Sequence, residues 1–151
     1  MAATRDLLTG IAELLAASGL GLSWNPAGVY PAGQTGIFML FTPTAPDRCV
    51  VLNLVDRADD PSMPLGEKML QVRGRGNRND PLDVADLLDP IFDTLHGRTN
   101  LVIGGQTIIQ ILRRTSAPMG TDDSVRFERA DQYYLDVDAA PTAIRPAGGS
   151  W

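Results

Sequence analysis

Between Arg5 and Ser18 the apolar residues Leu7, Leu8, Ile11, Leu14 and Leu15 recur at helical spacing, which predicts an amphipathic helix stopped before Gly19. Trp24-Asn25-Pro26 and Tyr30-Pro31-Ala32-Gly33 then supply turn chemistry that cannot continue a helix, so a surface loop is expected. Two nearly continuous apolar runs, Gly36 to Thr42 and Cys49 to Val55, read as central strands. In a third, Lys68 to Arg75, Leu70 and Val72 face one way and Gln71 and Arg73 the other. The intervening DRADDPSMPLGE is polar and proline-rich and reads as a loop.

Asp80-Pro81 predicts a helix start, with the Asp side chain as cap and Pro in the first turn. That helix should run to about His96, with Val84, Leu87, Leu88, Ile91, Phe92 and Leu95 on one face and Asp86, Asp89 and Asp93 on the other. Pro90 lies in its middle, so a kink or break is expected there. Leu101 to Ile103, Gly104-Gly105 and Gln106 to Arg114 form a hairpin pattern, and Asp131 to Asp138 alternates as a last strand. These elements predict an α+β domain over residues 1–138, with two helices packed on a mostly antiparallel β-sheet. Two further features are expected: a long β-hairpin arm around TSAPMGTDDSV, and an extended Pro/Gly-rich tail over 139–151.

A chain of 151 residues with 44% hydrophobic and 21% charged residues suits one domain with a real core. The longest apolar run, Ile37 to Phe41, is far short of the ~20 residues that cross a bilayer, so no membrane partner is expected. The start MAATRDLL does not resemble a secretory signal, so the product is expected to stay in the cell or to leave it inside something else. A formal charge of −5 argues against a sequence-independent grip on nucleic acid phosphates. With Cys49 as the single cysteine, neither an intrachain disulfide nor a multi-cysteine metal site can form.

Candidate chemistry is sparse. The single histidine, His96, stands before Gly97 at a predicted helix end, where the helix dipole favours a partly protonated ring, so a structural role is expected. Cys49 opens an apolar strand and reads as packing. Gly74-Arg75-Gly76 begins like a dinucleotide fingerprint, but Asn79 and Asp80 occupy the positions that would hold the third glycine and the pyrophosphate. Asp47, Asp56, Asp59 and Asp60 could offer oxygen to calcium, yet they match no ligand loop and Arg48 and Arg57 interleave them. No cofactor or metal is therefore expected. The acidic helix face reads either as solvated surface or as a surface past which DNA must slide.

Taken together and in order, DLLTGIAELLAASGLG, GIFMLFTPTAPDRCVVLNLV, DPLDVADLLDPIFDTLHG, QILRRTSAPMG and FERADQYYLDV resemble the minor capsid proteins of tailed actinobacterial phages. That family is similar to the tail terminators of long-tailed siphophages. The resemblance implies a non-enzymatic virion protein at the head-tail junction, made in the host cytoplasm. It would form a homo-hexameric ring that caps the tail tube protein, stops tube growth and meets the head-side stopper protein, while genomic DNA passes through the lumen without specific binding. No catalytic residue is carried over. Contacts are expected at Arg113, Arg114, Pro118, Met119, Arg126, Ile144 and Trp151, and lumen-facing acids at Asp86, Asp89 and Asp93. The competing readings are a head-completion or stopper protein and a small cytoplasmic enzyme with a carboxylate-only site at Asp59 or Asp60.

Overall fold

The computed structural model describes residues 3–59, 65–139 and Ile144. Its elements are α1 (Ala3–Ala17), β1 (Leu22–Ser23), β2 (Thr35–Met39), β3 (Cys49–Asp59), β4 (Leu65–Arg78), α2 (Asp83–Leu95), β5 (Thr99–Ile103), β6 (Gln106–Thr121) and β7 (Arg126–Asp138). The strands form one seven-stranded sheet in the order β1-β2-β3-β4-β7-β6-β5. The α+β class is as expected, but the sheet is mixed. Its β1-β2 and β2-β3 pairings are parallel, and the antiparallel part runs from β3 to β5. The cause is the end of β2. Leu40 turns into the left-handed region with φ 70°, so β2 stops at Met39 and residues 40–48 carry the chain back to start β3 alongside it.

Both helices lie on the same face of the sheet. Leu7, Leu8, Ile11 and Leu15 of α1 and Val84, Leu87, Leu88, Ile91 and Leu95 of α2 are buried in one cluster with Val50, Leu52, Leu70, Val72, Ile108, Ile111, Tyr133 and Leu135. Burying side chains of this size is worth roughly 1.5–3 kcal/mol each, so this layer drives folding. Two glycines of β4 let α2 come close. A Cβ on Gly74 would meet Leu88 at 2.8 Å, and one on Gly76 would meet the Val84 amide nitrogen at 2.9 Å. The fragment that begins like a nucleotide fingerprint is thus the seat of a helix.

Several expected boundaries move. The α2 helix begins at Asp83 after an uncapped Leu82, while the Asp80 side chain accepts the Leu82 N–H at 3.2 Å in a turn before the helix. Pro90 does not break α2. The carbonyl that loses its partner belongs to Asp86, which is exposed, so water can replace the missing N–H. Much of the expected loop DRADDPSMPLGE is strand, because Arg57 pairs with Glu67 at 2.8 Å and Lys68 pairs with Asp56 across the β3-β4 ladder. The Gly104-Gly105 turn is as expected, both residues taking the positive φ (58° and 75°) of a two-residue hairpin.

The expected arm is a long hairpin of β6 and β7, but it does not stand free. β7 is paired with β4 as far as Arg126 opposite Arg78, so this limb is interior to the sheet. Among the described residues no strand pairs with the outer side of β6 beyond Ile111, because β5 pairs only with its first five residues, Gln106 to Gln110, and past them His96 takes the Arg113 N–H. Register shifts at Arg113/Thr115 and Pro118/Gly120 interrupt that edge. Of the predicted tail, Ala139 and Ile144 are described and Trp151 lies outside the described residues.

Candidate functional site

Neighbouring arginines in the sequence land in different worlds because side chains alternate across a strand. Arg113 points to the helix side, with its guanidinium 3.9 Å over the Phe92 ring and 3.5 Å from the fully buried Asp131. Asp131 also accepts a two-nitrogen contact from Arg129 at 2.9 and 2.8 Å, and Arg129 reaches Asp89 of α2 at 2.9 Å. Burial opposes the Arg129 charge, but Asp131 and Asp89 outweigh it and raise its pKa above the ordinary arginine value. Beneath this network the buried Tyr133 hydroxyl has no partner among the described residues, and burial pushes its pKa well above the ordinary 10.0. Arg114 projects to the opposite, helix-free face, where its guanidinium lies 5.0 Å from the Tyr134 ring and Arg57 lies 5.2 Å from it.

Arg126 is buried and spends its charge inside the subunit. It donates to the Thr44 carbonyl at 2.6 Å, to Asp47 at 3.0 Å and to Asp122 at 2.7 Å. Arg75 donates to the Pro46 and Asp47 carbonyls at 2.7 and 2.8 Å, and Arg78 reaches the Asp47 carboxylate at 3.1 Å. Three arginines from β4 and β7 therefore fasten the loop between β2 and β3. Desolvation raises the Asp47 pKa, but the hydrogen bonds and charges of Arg78 and Arg126 outweigh it and hold the carboxyl below 3.8. Asp122 is likewise lowered against desolvation, by the amide and side chain of Arg126.

At the end of α2, His96 Nδ1 accepts the Arg113 N–H at 3.0 Å, and the ring stacks on Phe92 at 4.6 Å. An accepting Nδ1 carries no proton. The imidazole therefore works as a rung that extends the β5-β6 ladder, a structural role. Cys49 is fully buried, and burial pushes its thiol up to about 11 despite the attraction of Arg75.

Of the remaining predicted contacts, the three that are described lie at the surface. Pro118 is exposed on the open β6 edge, Met119 is 49% exposed, and Ile144 is 87% exposed. Asp86, Asp89 and Asp93 are exposed as expected, with Asp89 paired to Arg129. The candidate calcium acids are not gathered: Asp47 serves arginines and Asp56 serves Lys68. Asp60 lies outside the described residues. Among the described residues no three His, Cys, Asp or Glu side chains come together to hold a metal, and no helix is long and apolar enough to cross a membrane.

One surface went unread in the sequence. Val29, Leu40 and Phe41 are exposed beside a cavity of about 540 Å³ lined by Tyr30, Pro31, Phe38, Ala45 and Pro46 among others. Leu40 and Phe41 belong to the longest apolar run, which resembles a buried strand, and that resemblance hid them.

No curated protein matches the chain. Among solved structures, a chain of a "Virion of native gene transfer agent (GTA) particle" superposes with TM-score 0.66 at 13% identity, covering 92% of this chain and 100% of that one. At that identity the likeness is one of fold. A family described as bacteriophage tail terminator protein matches residues 19–139. That range takes in α2 and every strand from β1 to β7. The chain belongs to the bacteriophage tail terminator family and is a structural protein of the phage tail.

Proposed function

We propose that copies of this chain close into a six-membered ring on the end of the tail tube, halt its growth and offer the head-side stopper a surface to join. The observation that carries this reading is the family match across the whole sheet. Supporting it, the conspicuous charge clusters are spent on holding loops in place, as a scaffold for assembly requires. Arg114, Pro118, Met119, Ile144 and Trp151 carry contacts to tube or neighbouring copies, while Arg113 and Arg126 shape the surface from beneath. Asp86 and Asp93 face the lumen, where like charge keeps passing DNA from sticking.

The test is to polymerise the tail tube protein with and without this chain. With it present, tubes should stop at a defined length and carry a cap whose mass corresponds to six copies. Caps of twelve copies or one, or binding to filled heads in place of tubes, would overturn the reading, the last in favour of a stopper.

A further inference from the structure

Of the large apolar residues that the fold leaves exposed, the three most exposed near the β2 end of the sheet flank a cavity on the helix-free face. Val29 is 69% exposed, Leu40 67% and Phe41 62%. Leu40 holds φ 70°, a conformation that a leucine adopts only when its surroundings insist, and such outliers point to function. The Phe41 ring meets Phe38 edge-on at 6.0 Å, and Phe38 meets Tyr30 at 5.1 Å. These rings stand beside the cavity of about 540 Å³ whose other walls include Val29, Pro31 and Pro46.

The cavity is preformed. The Tyr30 hydroxyl donates to the Ile37 carbonyl at 2.6 Å and accepts the Asn25 N–H at 3.0 Å, fixing one wall. Arg75 fixes the opposite wall through the Pro46 carbonyl at 2.7 Å. A site lined by aromatic rings and prolines and held in shape before its ligand arrives suits a flat aromatic side chain on an extended peptide.

We infer that this cavity receives the segment after Ala139 from a second copy of the chain, with Trp151 seated among Tyr30, Phe38 and Phe41. This rests on the ring assembly proposed above. Ile144 and Trp151 are the large apolar residues of that segment, and Ile144 is not packed on its own subunit. Direction selects a neighbour. β7 runs from Arg126 to Asp138, and its early residue Glu128 lies in register with Arg75, which holds the cavity wall. The chain thus leaves β7 heading away from its own cavity. The twelve residues from Ala139 to Ser150 can span up to ~40 Å when extended, enough to reach an adjoining copy.

Two full-length variants, Val29→Cys and Ser150→Cys, one of them carrying a size tag, test this when mixed, assembled on tail tubes and oxidised. Cys49 stays silent because it is buried. The expected result is a disulfide-linked pair of one tagged and one untagged chain, with a tenfold or greater loss of cross-link when Trp151→Ala is added. Caps that form without the cross-link overturn this inference alone. So does a chain carrying both cysteines that links only to itself. Failure of the wild-type chain to cap tubes overturns the ring reading and this inference with it.

Discussion

Asp47 is the residue on which the β2-β3 loop hangs, since its carboxylate takes Arg78 and Arg126 and its carbonyl takes Arg75. Replacing Arg126 with Met would strip a buried cation from Thr44, Asp47 and Asp122 together, and a Tm lower by about 3–10 °C is expected. The pH dependence has a definite sign. Asp47 and Asp122 are lowered in the folded chain, so the stability they contribute is present above their ordinary 3.8 and is lost as pH falls through their folded values. Melting followed from pH 7 down to pH 3 should show the wild type losing stability below about pH 4 and Arg126→Met losing less. Parallel profiles would show that these carboxylates do not depend on Arg126.

At the scale of elements, the close approach of α2 to β4 depends on two absent side chains. Gly74→Val should force Leu88 away, cost about 1–3 kcal/mol and lower Tm accordingly, and adding Leu88→Ala should recover part of the loss. A double variant no more stable than Gly74→Val would mean that the strain lies elsewhere. The helices were legible because each carries its apolar residues at helical spacing, which needs no knowledge of the partner. The ends of β3 and β4 were not, because Arg57 and Glu67 look like loop residues until they stand opposite each other across a ladder. The parallel β1-β3 edge was likewise hidden, since a local pattern specifies a strand but not the direction of its neighbour. Contact residues were legible only by type: Arg113 and Arg114 are identical letters whose faces were decided by register, and Arg126 is buried through partners up to 82 residues away.

The whole molecule has a helix-covered face whose outer surface is acidic and a bare sheet face carrying arginines on Tyr134. Arg129 neutralises Asp89, so Asp86 and Asp93 are the acids available to repel DNA. If they line the lumen, the Asp86→Lys and Asp93→Lys double variant should cap tubes normally yet slow genome release, measured as dye uptake by released DNA after receptor triggering. Normal release from such particles would move the acidic face out of the lumen. The open edge of β6 has a consequence for life before assembly. Unpaired strand edges invite like edges to zip together into fibres. Here two offsets in the ladder and Pro118, which has no N–H to offer, spoil the regular comb of donors and acceptors that a second edge would need. On the proposed capping reading, subunits waiting for a tube to finish growing can accumulate without clotting, so the supply of caps need not be timed to the supply of tubes.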